Sequence, residues 1–98
     1  MLIRIVRMTF QPDKVEEFRQ IFESSKHKIR ARPGCRYLEL WQDLHQPQVF
    51  VTHSHWESEE ALNSYRDSEL FRDTWNRTKA LFADKPQAFS VASVEKVE

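Results

Sequence analysis

The segment "VFVTHSHW", residues 49–56, places His53 and His55 two positions apart. On a strand, side chains alternate between faces, so both imidazoles point the same way as Val49 and Val51. Such a pair can hold a metal ion or move a proton. A metal site needs a third ligand and often a fourth. The other histidines are His27, on a predicted helix, and His45, in a loop, and no carboxylate stands nearby at ligand spacing. The pattern therefore predicts no metal. Neutral imidazole is the usual base near pH 7, so proton transfer is the chemistry these residues offer. The bland alternative is a partly buried pair at a sheet or subunit surface.

Other side chains have comparable claims. Tyr65 can donate a hydrogen bond, but an ordinary tyrosine is a poor base at neutral pH, and it reads equally well as a helix residue over the core edge. Arg4 and Arg7 fall on opposite faces of the first strand. Either can reach a pocket or subunit interface and hold an oxyanion there, or both are snorkelling edge residues; Arg7 is the one expected at the pocket. Tyr37, Glu39 and Trp41 share a strand face suited to an interface rich in large aromatics. Trp56, at a strand end, reads as a packing anchor. Cys35 has no partner that would make it a nucleophile, and "KHKIRAR" (26–32) suits the negative end of a helix dipole.

These residues need positions, and the hydrophobic pattern supplies them. "LIRIVRMTF" is rich in β-branched and apolar residues and reads as a strand. Asp13 and Glu16 form a capping-box pattern ahead of a helix whose apolar face is Val15, Phe18, Ile21, Phe22 and Ile29. "RPG" ends it. "CRYLELWQ" alternates as a second strand, "DLHQPQ" connects, and "VFVTHSHW" is the third. Ser58 caps a short helix over "EEALNSYRD", and Ser68 caps another with a stripe of Leu70, Phe71, Thr74, Trp75, Thr78, Leu81 and Phe82. "AFSVASVEKV" reads as a final strand. The order β-α-β-β-α-α-β is that of an α+β, ferredoxin-like fold with a four-stranded antiparallel sheet.

With 98 residues, the chain is expected to be one domain spanning 1–98. Fifteen basic and fifteen acidic residues cancel, which points to neither nucleic acid nor an anionic membrane. One cysteine excludes an internal disulfide. No secretory leader or membrane-length apolar run is visible, and a cytoplasmic location is expected. A chain this short, with an aromatic sheet face its helices cannot cover, is expected to pair with a copy of itself.

"RPGC" before the second strand and "HWESEEALNSYRDSELFRDTW" after the third resemble the antibiotic biosynthesis monooxygenase domain. Pro33, Gly34, Cys35, Trp56, Ser58, Ala61, Leu62, Ser68 and Phe71 carry the resemblance. It implies a dimeric α/β barrel of two sheets packed face to face. It also implies a monooxygenase that needs no cofactor, in which a small aromatic or quinol-like substrate is deprotonated and reacts with O2. The alternative on the same fold is a non-catalytic dimeric binding or structural module. The expected catalytic residues are His53, His55 and Tyr65, with Arg7, Trp75, Val6 and Phe71 lining the pocket. Active relatives often place a histidine where this chain has Tyr65. The resemblance argues against haem: the histidine that haem-degrading relatives carry near Trp75 is missing, and Val6 stands in place of their asparagine.

Overall fold

The computed structural model describes residues 1–98. Four strands form one antiparallel sheet: β1 (Leu2–Thr9), β2 (Cys35–Gln42), β3 (Val49–Trp56) and β4 (Gln87–Val91), in the spatial order β2-β3-β1-β4. Helices α1 (Val15–Arg30), α2 (Glu59–Arg66) and α3 (Glu69–Lys79) complete the expected order. Parity decides what each strand residue faces. One row across the sheet runs Ser90, Arg4, Ser54, Leu38 toward the helices. The next runs Phe89, Ile5, His53, Glu39 on the opposite, open face.

The main core lies between sheet and helices. Met8, Phe10, Phe18, Ile21, Phe50 and Leu81 are buried together, and Phe10 stacks on Phe18 with ring centroids 4.1 Å apart. A second, smaller cluster at the other end of the sheet joins Cys35, Trp56 and Leu62, with Leu2, Ala61 and Tyr65 packed against it. Gly34 makes this second contact possible. Its φ of 85° lies in the left-handed region, and a Cβ there would come 2.5 Å from the Ala61 Cβ. The "RPGC" and "SEEAL" segments are therefore two sides of one close approach between a turn and α2.

Three local expectations differ from the structure, the first being the stripe of α3, which stops at Thr78 because the helix ends at Lys79 and leaves Leu81 and Phe82 beyond it. A 3-10 turn over Pro12–Lys14 precedes α1, and no side chain caps the helix. Pro12 sets a helical φ at once, which puts Asp13 inside the turn instead of ahead of it. By contrast, the Ser58 and Ser68 hydroxyls accept from the Ala61 and Phe71 backbone N–H groups at 3.1 and 3.2 Å. The last strand ends at Val91, earlier than its sequence suggests. Val91 pairs with Ile3, one residue from the start of β1, so no ladder remains beyond it.

Candidate active site

A cavity of about 250 Å³ lies between the sheet and the helices. Val6 and Met8 enter from β1, Thr52, Ser54 and Trp56 from β3, and Ala88 from β4. Phe18, Ile21 and Phe22 close one side from α1; Leu62 and Tyr65 from α2, with Phe71 and Trp75 from α3, close another. The aromatic wall is continuous. Tyr65 stacks on Trp56 at 5.1 Å, meets Phe71 edge-on at 5.2 Å, and Phe71 stacks on Trp75 at 5.8 Å. The Trp56 indole N–H donates to Ser54 Oγ at 3.0 Å, so its polar edge is satisfied within the wall.

Burial pushes the Tyr65 hydroxyl up to about 12. At neutral pH it is therefore a proton-bearing donor and no base. The other hydroxyls along the cavity are partly committed: Ser25 Oγ donates to the Ile21 carbonyl at 2.8 Å, and Thr78 Oγ1 to the Thr74 carbonyl at 2.7 Å.

Of the residues expected at the site, Tyr65, Val6, Trp75 and Phe71 come together around this cavity. His53, His55 and Arg7 do not. Residue parity puts all three on the open face, with the sheet between them and the cavity. For the first strand the assignment reverses: Arg4, not Arg7, lines the cavity. Arg66, at the end of α2, lines it too and was missed, because a basic residue in the last helical turn already has a dipole explanation.

On the open face the two histidines form a cluster of their own. Their Nε2 atoms are 3.0 Å apart. That contact is a hydrogen bond when one of the two nitrogens carries a proton. Tyr37 stacks on His55 at 4.7 Å and Trp41 lies 4.5 Å from His53. Glu39 Oε1 lies 3.9 Å from His53 Nδ1, a buried atom with no hydrogen-bond partner. In the tautomer with the proton on Nδ1, the side facing Glu39, His53 Nε2 accepts from His55. No group of three or more His, Cys, Asp or Glu side chains is placed to hold a metal ion.

The architecture is that of a ferredoxin-like α+β domain with a small-molecule cavity beneath its helices. Residues 1–77 match the model of the family "Antibiotic biosynthesis monooxygenase". The chain belongs to that family. Solved structures agree on the fold. A crystal structure of an antibiotic biosynthesis monooxygenase superposes with a TM-score of 0.91 at 21% identity, covering 97% of this chain and 100% of that one. A protein of Mycobacterium tuberculosis gives 0.88 at 20% identity, covering 99% and 98%. A conserved protein of Methanosarcina mazei gives 0.87 at 21%, covering 93% and 91%. At such identities the likeness is one of fold. No match was found among curated proteins.

Proposed function

We propose that the chain is a monooxygenase that oxidises a small aromatic or quinol-like substrate with O2, without a cofactor, in the cavity under α2 and α3. The observation that carries this reading is the aromatic-walled cavity, one side of which is formed by the neutral, largely buried Tyr65. Family membership supports it. In such a reaction the substrate ionises and its electron-rich carbon gives electrons to O2. For an activated methylene, one oxygen atom becomes the new carbonyl; the other leaves as water with the two lost hydrogens. No lining side chain is a base near neutral pH, so the substrate gives its proton to solvent before it is enclosed. The cavity's part is to hold the ring, exclude bulk solvent and donate from Tyr65 to the developing oxyanion. His53 and His55 stand outside this machinery.

The same absence of a lining base favours a second reading, a binding module with no turnover. Oxygen uptake with a panel of hydroquinones and anthrones separates the two. Uptake of one O2 per product, slowed in Tyr65→Phe, supports the oxygenase. Saturable binding with no uptake for any of them selects the binding module.

Residues 1–98 form one domain in this proposal, and the active form is a homodimer joined through the open face. Trp41, Phe89 and Val91 are 43%, 47% and 44% exposed there, alongside Ile3, Ile5 and Val51. A second sheet would cover them, as in a sandwich. No helix is long and apolar enough to cross a membrane. A cytoplasmic location belongs to the same proposal and agrees with the free thiol of Cys35.

A further inference from the structure

Among the residues lining the cavity only two carry a formal charge, Arg4 and Arg66, and both are cations. No carboxylate and no histidine faces the same space. Arg4 Nη1 donates to Ser90 Oγ at 3.1 Å, a neutral acceptor. Neither arginine belongs to any ion pair of the chain. Acidic partners are not scarce, since acidic and basic residues are equal in number, and Arg36 and Arg77 have found theirs in Glu57 and Asp73. Burial and then the charge on Arg66 both act against the protonated form of Arg4.

Each arginine has a bland explanation taken alone. Arg66 suits the helix terminus, and Arg4 can extend its stem along the apolar wall. Neither explains why both converge on one apolar space that holds no acid. Like charges beside a low-dielectric cavity repel, and an anion placed between them removes that cost. Guanidinium groups present planar, paired N–H donors that match an oxyanion.

We propose that the cavity selects aromatic molecules bearing a carboxylate or phenolate oxygen, with the ring against Phe71 and Trp75 and the anionic oxygen between Arg4 and Arg66. This rests on the cavity being the ligand site described above, and it names the class of substrate that site takes.

Calorimetric titration with 2-naphthoate and 2-naphthamide, equal in shape and different in charge, tests it. The carboxylate is expected to bind about tenfold more tightly or better near neutral pH. The preference should shrink as salt rises from about 50 to about 500 mM. Arg4→Gln and Arg66→Gln should each cut it several-fold, the double variant should remove it, and Arg4→Lys should keep part of it. Arg66 is exposed on the helix surface, so its variant tests the idea even where Arg4→Gln fails to fold. A third probe, 2-naphthol, separates the two sources of negative oxygen: ionisation at lower pH in the protein's presence marks a phenolate site. Equal affinity for the acid and the amide, with the naphthol unmoved, overturns the proposal, as does a preference that survives the double substitution. Charge preference without any oxygen uptake leaves this inference standing and sinks the oxygenase reading. Uptake with neutral anthrones and no charge preference does the reverse.

Discussion

The two faces of this sheet hold different chemical kits on either side of a single layer of strands. The helix face has a cavity, two unpaired cations and a neutral phenol, and no group that takes a proton near pH 7. The open face has two imidazoles, a carboxylate and stacked aromatics, and none of these lines the helix-side cavity. The groups best able to move protons are thus separated from the space best able to hold a molecule. The lesson is that residue type nominates chemistry but strand parity decides whether a ligand can meet it. The open face is then free for a different task, which in our proposal is joining two copies.

The sharpest break in this comparison comes from adjacent residues. Val6→Asp puts a carboxylate against the main core and should cost about 3 kcal/mol or more of stability. Ile5→Asp, one position away, should leave the monomer folded and abolish the dimer. Thermal melts and sedimentation read the two outcomes; a dimer that survives Ile5→Asp would move the interface off the open face. Next in size is turnover. Tyr65→Phe keeps the stack on Trp56 and removes the donor, with an expected loss of about tenfold in kcat, whereas His53→Ala and His55→Ala should change the rate per folded subunit by less than about threefold. A histidine variant that loses activity as Tyr65→Phe does would bring proton transfer back to the open face.

The smallest effect is acid sensitivity. Burial first, and His53 second, hold the His55 pKa below its ordinary value. As pH falls, the unfolded chain takes up this proton before the folded chain does. The contribution to stability is therefore complete above about pH 6.5 and lost as pH drops through that value toward the depressed one. A melting temperature lower near pH 5 than near pH 7 is expected, read by thermal melts across that range. His55→Gln should flatten that part of the profile, and an unchanged acid slope in the variant would clear the histidine pair of any part in it.

Much of the architecture was readable because its signals were local. Helix stripes (that of α3 only as far as Thr78), two serine caps, the Pro-Gly turn and the alternation of β2 depend on near neighbours, and these appear in the structure. Of the cavity lining, the helical part was readable. Tyr65, Phe71 and Trp75 sit on helices whose apolar stripe can face only inward. The strands were ambiguous because they are apolar at both parities: Leu2, Val6 and Met8 face the helices while Ile3 and Ile5 face away, and β3 begins with Val49, Phe50 and Val51 in sequence. A sheet written for burial on both sides gives no internal clue to which side holds the cavity. That ambiguity misplaced Arg7 and both histidines. It is also what a sheet meant to be covered twice should look like.

The second core cluster carries a built-in reporter. Cys35 is the chain's one cysteine, 3% exposed beneath Trp56 and Leu62, and burial raises its thiol pKa, so in the folded protein it resists alkylation. Its shield is α2, which packs through Ala61 at Gly34, Leu62 and Tyr65 at Trp56, and Tyr65 at Phe71, with Arg32 donating to the Ser64 carbonyl. A thiol reagent would therefore report any lifting of α2, since a motion that uncovers Cys35 would also open the space beside Tyr65. If α2 moves alone, labelling will outpace global unfolding and a cavity-filling ligand will slow it.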